Sequence, residues 1–242
     1  MSRTIRIGVA AEGVSDYEVF HAIIAAMMPN QSFVLNLLQP EQSIAFVGAG
    51  AAGPTGGGWR GVYEWTLLLR HRAGRLNDDT ALFGAHDLFV MHLDAEVAGE
   101  DPANDRISPI PALASVLPCE EPCPPPSATT NRLRSAMLDW LGEAALPPRA
   151  VFCTPSKSTE AWVVQICCPD DKDAKKASWE CRPNPENRLG QQPKKKRFSK
   201  RQDEYRSRRG MIAAGWPALI ARLSEAKRFN DEFRAAVVML AR

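Results

Sequence analysis

Short, almost uninterrupted apolar runs along this chain alternate with longer stretches in which apolar residues recur every three or four positions. Ile5 to Ala11, Phe33 to Gln39, Leu88 to Leu93 and Ala150 to Thr154 are of the first kind. Runs without polar alternation predict strands buried on both faces, as in a mostly parallel sheet. After the first run, Val19, Ile23, Ile24 and Met27 form a helical stripe, and Ser15 and Glu18 have the spacing of a capping box. Val62, Trp65, Leu68 and Leu69 predict a second helix from Trp59 to about Arg72, and Leu133, Met137, Leu138 and Leu141 a third from about Asn131 to Ala144. A fourth starts near Thr159. Strand and helix therefore alternate, which predicts an α/β fold: a mostly parallel sheet flanked by helices. Trp216 to Ala226 and Phe229 to Leu240 add two amphipathic helices, expected to pack on the sheet as a C-terminal extension.

The strand ends carry the candidate chemistry. The first run stops at Glu12-Gly13, the third at Asp94-Ala95-Glu96, and the fourth at a polar turn, Pro155 to Glu160, containing Lys157, Ser158 and Glu160. Open α/β sheets bind ligands outside the carboxyl ends of their strands. Asp16, in the first turn of the helix after Glu12, points back to the same region. Each acid has an ordinary alternative: Asp94 opening a turn, Asp16 and Glu160 favouring a helix dipole, Lys157 an exposed loop lysine. Coincidence at three strand ends is less expected than at any one.

Composition narrows the class. With 242 residues, 45% hydrophobic and 24% charged, the chain has the make-up of a folded domain with a substantial core. No apolar run approaches the ~20 residues that span a bilayer, so no membrane association and a cytoplasmic location are expected. From Arg188 to Arg209 there are ten Lys or Arg against Asp203 and Glu204, a local charge of +8 in a chain of net +2, so the remainder carries −6. This basic stretch lies in Pro169 to Gly210, which lacks an apolar period and reads as a flexible or partly ordered insertion with a helix beginning near Lys200. Lys194, Lys195, Lys196, Arg197, Lys200 and Arg201 are candidates for phosphate contacts, with a solvated tail as the alternative. The expected units are 1–168, 169–210 and 211–242.

Three other features stand outside this pattern. Gly48-Ala-Gly50-Ala-Ala-Gly53 spells a dinucleotide fingerprint, but Pro54 and Gly56 to Gly58 follow where a helix should open, so a loop over a site is expected. Eight prolines between Pro102 and Ser127 predict a long irregular excursion. Among the six cysteines, Cys119 and Cys123 with Cys167, Cys168 and Cys181 offer a zinc alternative, but no well-spaced second pair or histidine accompanies them; buried or free thiols are the default expectation.

Glu12-Gly13 closing a first strand, followed much later by an apolar strand running into Asp94-Ala95-Glu96, resembles the TOPRIM fold of topoisomerases, DnaG-type primases and OLD-family nucleases. Over about residues 4–168 the chain also resembles small stand-alone TOPRIM-like proteins of prokaryotic defence gene sets. The resemblance implies Mg²⁺ or Mn²⁺ held by Glu12, Asp16, Asp94, Glu96, Ser158 and Glu160. Catalysis would fall to Glu12, Asp94, Glu96 and Lys157. Glu96 departs from the usual second Asp and lengthens one ligand arm. The implied activity is metal-dependent cleavage of DNA or RNA, as the effector of an antiviral system with a partner ATPase. The alternative is a TOPRIM-like subunit that binds nucleic acid or a partner without catalysis.

Overall fold

The computed structural model describes residues 3–41, 56–100, 117–193, 197 and 199–240. The fingerprint glycines Gly48, Gly50 and Gly53, most of the proline-rich excursion, and Lys194, Lys195 and Lys196 lie outside them.

The four apolar runs form the four strands of one sheet: β1 (Ile5–Ala10), β2 (Phe33–Gln39), β3 (Leu88–His92) and β4 (Ala150–Cys153). Their order is β2-β1-β3-β4, and every pairing is parallel. The connections are helical: α1 (Val14–Met27), α2 (Gly58–Ala73), the short α3 (Thr80–Ala85), α4 (Ser127–Leu141) and α5 (Thr159–Cys167). Beyond α5 come short α6 (Asn187–Gln191) and α7 (Gln202–Ser207), then α8 (Arg209–Ile220) and α9 (Ser224–Leu240). The architecture is thus α/β, an all-parallel sheet flanked by helices with C-terminal helices against it, an arrangement consistent with a TOPRIM-like fold. Among the described residues no helix is long and apolar enough to cross a membrane.

Strand alternation decides which helices cover which face. Ile7, Val9, Leu88, Val90, Val151 and Cys153 point to the layer built by α1, α5, α8 and α9, centred on Phe20, Trp162, Trp216, Phe229 and Phe233. Ala10, Phe89, Met91 and Phe152 point to the layer of α2 and α4, with Val62, Leu69, Leu133 and Met137. The same alternation continues past Val90. It directs His92 and then Asp94 toward the α1 side.

Several boundaries differ from expectation, each for a local reason. Gly13, not Ser15, caps α1: the Asp16 carboxylate accepts the Gly13 amide at 3.0 Å, so Asp16 closes the first turn. Glu18 takes no part in a cap. It is fully buried and receives Gln202, Arg206 and Arg209, which fasten α7 and α8 to α1. α4 starts at Ser127 rather than Asn131, because Pro124 to Pro126 lead directly into its first turn, and it stops at Gly142, whose φ of +71° suits glycine. The C-terminal pair breaks at Ala221–Leu223. There the Glu180 carboxylate accepts the Ser224 amide at 2.8 Å and the Glu225 amide at 2.7 Å, capping α9 from 44 residues away.

Of the two alternatives for the stretch 169–210, flexible or partly ordered, its described residues fit the second, with a helix starting at Gln202 close to the expected Lys200. They form the 3-10 turn Ala177–Cys181 together with α6 and α7, and bury Trp179, Leu189 and Tyr205. Cys123 and Cys181 are not free thiols: they form a disulfide with Cα atoms 5.5 Å apart, a separation that favours bonding. Cys119, Cys153, Cys167 and Cys168 remain reduced, and no zinc-like cysteine cluster exists among the described residues.

Candidate metal and phosphoester site

Three strand-helix units meet at the carboxyl edge of the sheet. Glu12 follows β1, and its Oε1 accepts the backbone amide of Asp94 at 2.8 Å. Asp94 follows β3, and its Oδ1 accepts the Thr159 amide at 3.1 Å, from the first turn of α5 after β4. The Thr159 hydroxyl donates to Asp16 Oδ1 at 2.8 Å, which returns the chain of contacts to α1. Acids far apart in sequence are therefore linked by one threonine and two amides. Beside them, the Gly58 amide donates to the Glu12 carbonyl at 2.8 Å; Gly58 has φ +68°, so α2 opens against the end of β1 through a conformation glycine tolerates.

His92 lies inside this ring and was not singled out from the sequence. It is fully buried, its Nε2 is 3.2 Å from Asp94 Oδ1 and 3.7 Å from Asp16 Oδ1, and its Nδ1 is 3.0 Å from the Cys153 carbonyl. Its ring packs edge-on against Phe20, with centroids 5.2 Å apart. The approach to Asp94 is an ion-pair distance rather than an aligned hydrogen bond, since Nε2 has no hydrogen-bond partner of good geometry. Burial acts to lower its pKa, but the Asp16 and Asp94 charges prevail and hold it well above the usual histidine range. The two carboxylates thus favour the imidazolium form of buried His92. The signal in the sequence was a lone polar residue inside an apolar strand two positions before Asp94.

One imidazolium does not balance the acids. Burial, then Asp94, pushes the Glu12 carboxyl well above the usual carboxylate range. Asp16 is raised to about 6, chiefly by burial, with His92 opposing and Asp94 and Glu160 adding. Glu96, in the turn after Asp94, rises to about 7 through burial and the charges of Asp94 and Glu186. Glu160 is buried, accepts the Tyr205 hydroxyl at 3.2 Å, and pairs with Lys200 at 3.2 Å. Burial would depress the Lys200 ammonium, but Glu160, Glu186 and Asp94 keep it raised. Lys200 thus faces the acids, whereas Arg201 pairs with Asp203 at 2.9 Å on the surface. Arg197 donates to the Gln192 carbonyl at 3.3 Å.

Lys157 is buried and paired with Glu120 of the proline-rich excursion, so it is not the exposed loop lysine of the alternative reading. Its carbonyl accepts the Glu96 amide at 3.2 Å, tying the two turns together. Ser158 is also buried, and its Oγ has no hydrogen-bond partner.

The carboxylates and the unpartnered Ser158 hydroxyl are hard donors that suit a hard divalent cation. Among the described residues, however, no three His, Cys, Asp or Glu side chains already surround one point as a metal cage. Backbone amides and Thr159 hold Glu12, Asp16 and Asp94 in place, each through an oxygen that a cation would have to share or leave. No protein-family model, curated protein or solved structure matches this chain.

Proposed function

We propose that this chain hydrolyses nucleic-acid phosphodiesters with Mg²⁺ or Mn²⁺ bound among Glu12, Asp16, Asp94 and Glu160, with Glu96 and Ser158 at the margin. The observation that carries the reading is the convergence of Glu12, Asp16, Asp94 and Thr159 from three strand-helix units with more negative than positive charge. A surplus of buried acids costs stability, and such a cost is commonly kept where it serves binding or catalysis. A divalent cation held there would neutralise phosphate charge and lower the pKa of an attacking water. The resemblance to TOPRIM nucleases supports the same chemistry, and with it a role as the effector of an antiviral system beside an ATPase.

The chain's own residues have separable tasks. His92 keeps its proton at Nε2 facing Asp94 Oδ1 and so fixes that carboxylate without joining the open face. Thr159 orients Asp16 and Asp94 together. Arg197 and Lys200, continuing the basic run of Lys194, Lys195 and Lys196, draw the phosphate backbone toward a body that is otherwise acidic. Arg201 adds to that run.

A second reading has its own support: the acids are engaged by amides, Thr159 and His92 rather than gathered as a cage. On that reading the protein is a TOPRIM-like subunit that binds nucleic acid or a partner without cleaving. Incubating purified protein with single- and double-stranded DNA and RNA, with Mg²⁺, Mn²⁺ or EDTA, separates the two. Metal-dependent cleavage lost in Asp94→Ala supports the hydrolase. Binding unaffected by Asp94→Ala, with no cleavage of any substrate, supports the second reading.

A further inference from the structure

We propose that the Cys123–Cys181 disulfide is a redox latch that decides whether Lys157, beside the acidic site, is paired or available. The bond joins residues 58 apart in sequence, one in the proline-rich excursion and one in the C-terminal region. Its two sides differ in anchorage. Cys181 ends the turn Ala177–Cys181, where buried Trp179 donates to the Ala161 carbonyl at 2.9 Å and Glu180 caps α9. That side is part of the core. Cys123 belongs to the described end of the excursion, residues 117–126, which is mainly exposed or half-buried.

Besides the disulfide, the described residues of that segment make polar ties at Pro118, Glu120 and Glu121. Gly99 donates to the Pro118 carbonyl at 2.9 Å, Glu121 accepts Arg132 at 2.7 Å and donates its amide to Thr129, and Glu120 pairs with Lys157. The Glu120 side chain is 49% exposed whereas that of Lys157 is 10% exposed. Lys157 is thus fixed within the turn before α5, and its counter-ion is supplied by a loop held down by the disulfide three residues further on. A solvated carboxylate on a loose segment makes a weak pair; the same carboxylate on a stapled one is held against its partner.

Opening the latch requires a dithiol reductant. Its thiolate attacks one sulfur of the Cys123–Cys181 bond to form a mixed disulfide. The second thiolate then closes the reductant's own disulfide, leaving Cys123 and Cys181 as thiols, each with a proton. Both cysteines are half-buried, so a small dithiol has access. The segment then keeps its ties to Gly99, Thr129 and Arg132 but loses the staple three residues from Glu120, and the exposed Glu120 carboxylate releases the Lys157 ammonium next to Glu96 and Ser158. What the released lysine does for a phosphate rests on the hydrolase reading; the latch itself does not.

The test measures Lys157 directly, by mass-spectrometric labelling with an amine-acylating reagent on the full chain. A Cys119→Ser background removes the exposed thiol that would exchange with the bond. Oxidised protein should yield a Cys123–Cys181 linked peptide and slow Lys157 labelling. Dithiothreitol, and separately Cys123→Ser, should accelerate labelling several-fold, while Glu120→Gln should give the fast rate without reduction. Reduction of the wild-type chain decides the matter even if a cysteine variant folds poorly. Absence of the linked peptide under oxidation, or equal Lys157 labelling in both redox states, overturns the latch. Nuclease assays on the same samples keep the two ideas apart: redox-dependent labelling with no cleavage removes the hydrolase and leaves the latch, and cleavage with redox-independent labelling does the reverse.

Discussion

The two ends of the same sheet treat buried charge in opposite ways. At the amino end, Asp87 precedes β3 and accepts the Arg6 amide at 2.8 Å while pairing with Arg6 at 3.2 Å and with Arg3. Burial works against its ionisation, yet Arg6 and Arg3 outweigh it and hold its carboxyl below the usual range. Nearby, Arg149 donates to the carbonyls of Phe83, His86 and Asp87. At the carboxyl end, Glu12, Asp16 and Glu96 are all raised, and among the described residues the cations facing them are His92 and Lys200, with Lys157 already committed to Glu120. One strand, β3, runs between these environments. A chain that compensates its acids fully at one end and leaves a deficit at the other has placed the deficit where a charged ligand can supply the balance.

The comparison breaks most visibly in activity. Asp94→Ala should lower metal-dependent cleavage on the order of 10²-fold or more, since even residues that only support a metal ligand cost 10- to 100-fold when lost. Asp87→Ala should leave turnover of the folded protein unchanged. Comparable losses in both variants, measured at matched folded fraction, would mean that the two ends are not functionally distinct.

Stability should separate them in the other direction. Asp87→Ala removes the acceptor of the Arg6 amide and the carboxylate that pairs with Arg3 and Arg6, leaving the Arg6 guanidinium the Gly84 carbonyl, and should cost about 1–3 kcal/mol. Glu12→Gln keeps an oxygen for the Asp94 amide but removes a charge from a crowded, buried site, so the cation-free protein should gain up to ~1 kcal/mol, a rise of about 2–4 °C in Tm. Calorimetric melts in EDTA check both. A Glu12→Gln variant less stable than wild type would show that the Glu12 charge is compensated.

A smaller effect follows with pH. Glu12, Asp16 and Glu96 have folded pKa values above their unfolded ones, so the folded state binds more protons and cation-free stability falls as pH rises from about 4 through 6 and 7. His92 acts in the same sense, because its folded pKa is also raised and its contribution is lost as pH climbs through that value. Asp87 and Asp171 are lowered and oppose this only in acid, losing their contribution as pH falls below about 4. Melts in EDTA should therefore be highest in the mildly acidic range, and excess Mg²⁺ should flatten the decline toward pH 8. A Tm that climbs steadily from pH 5 to 8 in EDTA would contradict the charge deficit.

How much of this was legible in the sequence depended on how local each signal was. The four strands stood out as apolar runs, and their ends located Glu12, Asp94 and Glu160 because a buried parallel strand can place a carboxylate only where it stops. Asp16 followed from helix phase. His92 was hidden by its own context, since one polar residue in an apolar run reads as noise until strand parity aligns it with Asp94. Glu18 had the spacing of a cap, yet its partners Arg206 and Arg209 lie far along the chain. The Glu180 cap on α9, the Cys123–Cys181 bond and the Lys200–Glu160 pair likewise join residues 40 or more positions apart, so no local window contains them.

The least effect is expected at the basic stretch, which contrasts with the acidic edge in charge rather than in burial. Replacing Lys194 to Arg197 by alanine should weaken nucleic-acid binding and flatten the salt dependence by about 0.9 in slope for each lost duplex contact, with turnover at saturation little changed. An unaltered slope would remove this run from the nucleic-acid interface.

Mn²⁺ soaked into crystals and located by its anomalous scattering tests the central claim most directly. The account predicts a peak bounded by the carboxylates of Glu12, Asp16 and Asp94, present in wild type and absent from Asp94→Ala. A peak elsewhere on the surface with none among these residues, at saturating Mn²⁺ and pH 8, would contradict it.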